Sequence, residues 1–353
     1  MRDLSDKLRN KPGKGHQNRG GKERRKVRRS GTFYSRGKLL ITGEYLVLYG
    51  ASALALPLNM GQKLEYKKEN GDGLKTLTWT TTVRGEKKFE AVFRGHDYMI
   101  DEATDNGKAG YLRHILMNAF ELSDFTPAFG KVSSTIEFDM EWGFGSSSSL
   151  ISNIAYMFDI NPYTLHFSVS KGSGYDIACA RANSPILYRL DYQTEGYESK
   201  KVTARDEESF PVPVCSSAGF DPPFKNKLFF AYTGKKQDSA VSVEKFLSAQ
   251  NSSDYHLKRV SAISREIIKA PDIGSFNDLL REHDSILAIL LGKKPASKAM
   301  FPGFPGYIKY LGAWGGDFVL ISWPGDVDEL MRLLKKEGVE IVFPYKKLIC
   351  NGD

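Results

Sequence analysis

Between the strand-like run Ser134 to Phe138 and the helically spaced apolar residues Leu150, Ile151, Ile154, Met157 and Phe158 lies the loop Gly143-Phe144-Gly145-Ser146-Ser147-Ser148-Ser149. A strand, a glycine loop and a helix in series call for a sheet with a helix laid against it. Two glycines at spacing two let the backbone approach a ligand closely, and four hydroxyls follow at the helix start. Unsatisfied N–H groups and the positive end of the helix dipole favour an anion there, phosphate above all, and serine oxygens can also ligate Mg2+. Taken alone, the run is also compatible with a serine N-cap. A cap, however, needs one serine and explains neither the glycines nor the repetition.

The rest of the chain supplies compatible elements. Lys38 to Thr42 and Tyr45 to Leu48 are short apolar runs joined by Gly43-Glu44, and Ala53 to Leu56 follows Gly50-Ala51, so three buried strands around tight turns are expected. Gln62 to Phe93 is polar and β-rich, with turn signals at Asn70 to Gly73 and Arg84-Gly85. Helical spacing marks Lys108 to Glu121, the stretch from Leu257 to Ile268, and Leu279 to Leu290 before Gly292. Strands are expected at Ile186 to Leu190, Leu228 to Tyr232, Asp317 to Trp323 and Val339 to Phe343, with a helix from Val327 to Glu337 stopped by Gly338. A polar, proline-containing stretch from Phe210 to Lys227 is the expected domain boundary. The order suits an α+β fold of two domains, residues 31–225 and 226–353, because 353 residues exceed what one core usually serves.

Charge is unevenly placed. Twelve of the 50 Lys and Arg residues and three of the 42 Asp and Glu residues fall within residues 1–30, which leaves 38 basic against 39 acidic in the remainder. The folded part therefore carries no electrostatic case for nucleic acid, and only the tail could hold RNA or an acidic surface. Lys11 to Arg29 has Val27 as its single aliphatic residue, so a disordered basic tail is expected. No signal-peptide apolar region and no run long enough to span a membrane is present. Cys179, Cys215 and Cys350 are few, separated and odd in number, which fits a reducing cytoplasm. The six histidines are scattered without metal-ligand spacing, and His114 and His283 sit in helical patterns as packing or surface residues.

Common nucleotide signatures fail. Ser148 stands where the dinucleotide fingerprint has its third glycine, Gly37-Lys38 lacks the flanks of a Walker A loop, and no G-x-S-x-G elbow occurs. Other residues draw notice by their setting. Asp176 follows flexible glycines in Lys171-Gly172-Ser173-Gly174-Tyr175-Asp176-Ile177-Ala178-Cys179, where it is either a helix N-cap or a carboxylate able to orient or deprotonate an acceptor hydroxyl. Lys38 and Glu44 flank an apolar strand, as a surface pair or as charges serving a ligand. Gly312-Ala313-Trp314-Gly315-Gly316-Asp317 is a second glycine loop before a strand.

In this order the elements resemble the GHMP kinase superfamily of galactokinase, homoserine kinase, mevalonate kinase and phosphomevalonate kinase, across residues 31–353. Gly37 to Gly50 is similar to its first motif, Gly143 to Ser149 to its phosphate loop and Gly312 to Gly316 to its third motif. The resemblance implies a ribosomal protein S5 domain 2-like domain, a ferredoxin-like second domain and an active site between them. It implies ATP and Mg2+ as cofactors, a small-molecule substrate, and a monomer or homodimer. Gly143, Phe144, Gly145, Ser146, Ser147 and Ser148 with Gly312, Ala313, Gly315 and Gly316 would bind nucleotide, with Ser146 or Ser147 near the metal. Asp176 and Lys38 would be catalytic, and Glu44 and Tyr175 would contact substrate. Gly43-Glu44-Tyr45, Gly174 to Cys179 and Gly315-Gly316-Asp317 look like the phosphomevalonate kinases, so mevalonate or 5-phosphomevalonate is the expected acceptor. A diphosphomevalonate decarboxylase and a catalytically silent homologue are the alternatives. The chain departs from the pattern at Arg36, where proline is usual, at Asp139, and at Trp314, which replaces the middle glycine of the third motif and implies a narrowed pocket or a re-aimed loop.

Overall fold

The computed structural model describes residues 29–69, 75–192, 211–234, 239–249, 253–301, 303–314 and 317–352. The predicted tail, the turn at Asn70 to Gly73, and Gly315 and Gly316 lie outside these. In chain order the first half contains β1 (Gly31–Leu40), β2 (Ala53–Lys68), β3 (Thr76–Val83), β4 (Glu86–Arg94), β5 (Met99–Ala103), α1 (Asn106–Leu122), β6 (Gly130–Ile136), α2 (Ser146–Met157), α3 (Pro162–Val169), α4 (Tyr175–Arg181), β7 (Ile186–Asp191) and β8 (Val212–Ser217). The second half contains β9 (Leu228–Tyr232), α5 (Ser239–Ala249), α6 (Asp254–Glu266), α7 (Ile273–Leu291), α8 (Ala296–Ala299), β10 (Tyr307–Tyr310), β11 (Phe318–Ser322), α9 (Val327–Lys336), β12 (Val342–Pro344) and α10 (Tyr345–Leu348).

Two sheets result, and the α+β class stands. The first runs β5-β4-β3-β6-β2-β7-β8 with β1 also paired to β2, and the second runs β10-β11-β9-β12. The length of β2 explains the first sheet's centre: β1 lies along one side, while on the other Gln62–Lys68 pair with β6 and Ala53–Ala55 with β7. All pairings are antiparallel except β3 with β6. Apolar residues of α1, such as Leu112, Ile115 and Leu116, meet Ile151 and Ile154 of α2 over Trp79 and Phe93 of the sheet. A second core joins the halves, with Phe138, Trp142 and Phe144 against Phe230, Phe276 and Phe318. Past α10 the chain returns to the first half, where Ile349 bridges to Leu58 and the Cys350 N–H donates to the Pro57 carbonyl at 2.9 Å.

Three local expectations change. Leu46–Tyr49 is a single 3-10 turn rather than a strand, because Tyr45 adopts φ 61° and reverses the chain, closing Val47 N–H onto the Gly43 carbonyl at 2.9 Å. A third of the stretch read as a polar boundary is β8, an exposed edge strand that tolerates Pro213 because one side needs no ladder donor. Strand β10 and helix α5 had no apolar run long enough to announce them.

Candidate active site

Helix α2 starts at a loop built for close approach. Its N-cap is Gly145 at φ 90°, and no side chain caps it, so the first-turn N–H groups face outward for a ligand. A Cβ on Gly145 would stand 2.8 Å from Ser148 Oγ and 3.1 Å from the Lys38 Cγ, so glycine here keeps the helix start open and lets the lysine stem lie against it. The helix is fixed from behind by buried hydrogen bonds. Ser149 Oγ donates to Gln62 Oε1 (2.7 Å), the Asn153 amide donates to the Gln62 carbonyl (2.8 Å), Ser35 Oγ donates to Asn153 Oδ1 (2.8 Å), and the Gln62 amide donates to Ser134 Oγ (2.7 Å). Strands β1 and β2 thereby grip α2, and β6 holds the Gln62 side chain in place.

Lys38 arrives from β1 just after a bulge between Arg36 and Lys38, which re-aims the side chain. Its backbone N–H donates to the Phe144 carbonyl (2.9 Å) and its ammonium to the Gly143 carbonyl (2.8 Å), with the Tyr175 ring centroid 5.7 Å from Nζ. Withdrawal from water disfavours its charge, yet Tyr175 and then Asp176, with a smaller contribution from Asp317, outweigh this and hold its pKa above the ordinary value. Lys38 is thus a fixed cation at the loop. Burial pushes Tyr175 up to about 12, partly opposed by Lys38, so its phenol stays neutral. Asp176 occupies the first turn of α4, behind the left-handed N-cap Gly174, and its Oδ1 accepts from the Ile177 N–H at 3.0 Å.

Of the residues singled out in the sequence, Lys38, Tyr175, Asp176 and the loop Gly143 to Ser148 come together. Ser147 is exposed and its hydroxyl meets the Tyr111 hydroxyl at 2.5 Å, whereas Ser148 turns back to the Gly145 carbonyl at 3.0 Å. Phe144 contributes only backbone to the site. Its ring is fully buried, 4.6 Å from Phe318, so it anchors the loop to β11. Glu44 does not line the cleft. Its carboxylate is 1% exposed and lies in an ion cluster between the halves, 2.6 Å from Lys309 Nζ and 3.2 Å from His283 Nε2. Gly312 borders open space at φ 62°, and Ala313 is buried. The Trp314 indole is buried in the core beside Tyr45, Leu46, Val260 and Leu287.

Two site residues escaped the sequence reading. Tyr111 lies within the helically spaced run Lys108 to Glu121 and is not marked out by sequence; burial raises its phenol pKa, the Ser147 hydrogen bond opposes this and the Asp176 charge adds to it. Asp317 was noted only as the end of a glycine loop, but its carboxylate rests against Gly143. Among the described residues no cluster of three or more His, Cys, Asp or Glu could hold a metal alone. Exposed hydroxyls with isolated carboxylates instead suit Mg2+ carried in by a nucleotide, since that ion usually binds through one or two carboxylates plus phosphates. No described helix is long and apolar enough to cross a membrane.

A β-sheet half holding an uncapped, glycine-opened helix start, packed against a four-stranded half, has the fold of solved mevalonate and phosphomevalonate kinases. The chain resembles Methanococcus jannaschii mevalonate kinase (TM-score 0.57, 18% identity, covering 89% of this chain and 97% of that one). It is also similar to Streptococcus pneumoniae phosphomevalonate kinase solved with phosphomevalonate and AMPPNP (0.59, 17%, 89% and 99%) and to Staphylococcus aureus mevalonate diphosphate decarboxylase (0.52, 14%, 92% and 97%). No protein-family model and no curated protein sequence matches the chain.

Proposed function

We propose that this protein is an ATP-dependent small-molecule kinase that moves the γ-phosphoryl group onto a small acidic metabolite, mevalonate or 5-phosphomevalonate, in cytoplasmic isoprenoid precursor synthesis. The observation that carries this reading is the convergence of Lys38, Tyr175 and Asp176 on the uncapped start of α2. The solved structures it is similar to, a mevalonate kinase and a phosphomevalonate kinase, point the same way.

In this reading the first-turn N–H groups of α2 hold phosphate oxygens and Lys38 adds a permanent positive charge beside them. Asp176 receives the proton of an acceptor hydroxyl, or orients the acceptor oxygen, as that oxygen bonds to phosphorus and the bond to the ADP oxygen breaks. Ser146 or Ser147 would hold Mg2+, which when bound offsets charge on the phosphates. Tyr175, neutral and packed beside Lys38, shapes the acceptor side. Trp314 sits in the core rather than over the loop, so nothing about its position favours a silent homologue.

An ADP-release assay with mevalonate, phosphomevalonate, galactose and homoserine tests the assignment. Turnover with one of the first two is expected. Intact nucleotide binding without turnover on either removes the isoprenoid assignment, and stoichiometric CO2 release would identify a decarboxylase.

A further inference from the structure

Asp176 follows two glycines, Gly172 and Gly174, whose freedom alone would let its carboxylate wander. The fold pins both. His166, on α3 and only 3% exposed, brings its Nε2 to 3.2 Å from the Gly172 carbonyl. A carbonyl oxygen only accepts, so Nε2 carries a proton and donates, while Nδ1 has no hydrogen-bond partner among the described residues. A buried ring nitrogen without a partner is a cost that an apolar filler such as leucine would avoid, so the bond to Gly172 is what a histidine contributes here.

Neighbouring rings complete the grip. The Tyr188 hydroxyl, from β7, donates to the Ser173 carbonyl at 2.5 Å. A Cβ on Gly172 would stand 3.3 Å from His166 Cε1 and Nε2, and one on Gly174 would stand 3.3 Å from Tyr163 Cδ1 and Tyr188 Oη and 3.6 Å from His166 Cδ2, so the backbone lies directly on three side chains. Gly174 is at φ 80°, and its carbonyl accepts the Ala178 N–H at 3.1 Å, which starts α4. A rotation of the Gly172–Ser173 peptide is therefore passed on to the helix turn that carries Tyr175 and Asp176. Sealed from solvent, His166 acts on Asp176 only through this stretch of backbone.

Resting on the kinase reading, we infer that His166 is a positioning residue for phosphoryl transfer: through the Gly172 carbonyl it fixes the turn at Gly174 and so the aim of the Asp176 carboxylate at the acceptor oxygen. Transfer between bound partners depends steeply on such aim, because a displacement of a single ångström at the reacting groups is enough to slow it. Nucleotide is held elsewhere, by the start of α2 and Lys38, and does not feel this turn.

The test measures ADP release with whichever of mevalonate and 5-phosphomevalonate turns over, beside AMPPNP affinity by titration calorimetry, in the wild type, His166→Leu and His166→Gln. Leucine fills the space without a donor, and the glutamine amide restores one. His166→Leu is expected to lower kcat by about 10- to 100-fold with AMPPNP affinity within about twofold of wild type, and His166→Gln to recover most of the loss. In an Asp176→Asn background, His166→Leu should slow turnover by less than about twofold further, since positioning has no effect once the positioned group is gone. An unchanged kcat in His166→Leu, equal losses of kcat and AMPPNP affinity, no recovery with glutamine, or a full additional loss beside Asp176→Asn each overturns the inference and leaves the kinase reading intact. If His166→Leu does not fold, Tyr188→Phe carries the same test at the Ser173 carbonyl, and a wild-type kcat there overturns the inference. A wild type that binds AMPPNP and turns over neither acceptor overturns the assignment itself, and the inference with it.

Discussion

Lys38 touches or electrically senses nearly every polar group at this site, namely Gly143, Tyr175, Asp176 and Asp317. Asp176→Asn keeps the shape of the side chain and removes its charge, so turnover should fall by about 10²- to 10⁴-fold with nucleotide affinity little altered. Steady-state kinetics beside nucleotide titration check this, and a near-normal rate would take Asp176 out of the reaction. At this scale the sequence was partly legible. Glycines and serines declare themselves because few folds other than an anion cradle require them together, and Asp176 stood out by its glycine neighbours. Asp317 and Tyr111 did not, since each acts through a contact with a residue more than 30 positions away. Glu44 misled for the same reason: its distant partners Lys309 and His283 turn an apparent site charge into a buried joint.

Helix α2 shows how an element is held ready for a ligand. Four buried polar side chains, Ser35, Gln62, Ser149 and Asn153, tie it to two strands, so the helix start cannot drift while its first N–H groups remain free of caps. Asn153→Ala removes two of these bonds and strands the Ser35 hydroxyl and the Gln62 carbonyl, and should cost about 2 to 4 kcal/mol in denaturant unfolding. An unchanged midpoint would show that the network is dispensable. Periodicity announced this helix, α1 and α7, because one face of each is apolar and packs. It missed the turn at Leu46–Tyr49, where an apolar run is buried by a reversal at Tyr45 that only tertiary packing imposes. It missed β8 because an exposed edge strand needs no apolar alternation.

The two halves of the molecule meet at a charge cluster wholly removed from water. Glu44 of the first half faces Lys309 and His283 of the second, Lys309 Nζ is 3.1 Å from Asp284, and Tyr307 donates to Asp284 at 2.8 Å. Two carboxylates against one lysine leave the cluster short of one positive charge. Burial and Lys309 both disfavour a protonated His283, but Glu44 and Asp284 outweigh them and raise its pKa above the ordinary 6.5. Its Nε2 lies 3.2 Å from Glu44 Oε2 and accepts the Gly43 N–H at 3.0 Å. Because the folded pKa is raised, the stabilisation is complete below pH 6.5 and is lost as pH climbs through the folded value. Burial opposes ionisation of Asp284, yet Lys309 and His283 lower its pKa, so that contribution is present above pH 3.8 and disappears as acid protonates it. Melting temperature should therefore decline above pH 6.5 in the wild type, and His283→Gln should remove most of that decline while costing about 3 kcal/mol below it. Parallel slopes in the two proteins would show that His283 is not the titrating group.

The return of the chain to β2 after α10 carries a consequence for inheritance. Ile349 and Cys350 bond to Leu58 and Pro57, and the aromatic core joins Phe144 to Phe318, so residues from both halves complete one another's interiors. Neither half is a portable module. A recombination event that separated them would leave each with an open hydrophobic wall, and the cleft between them, where chemistry is proposed, would pass to descendants only as an undivided whole.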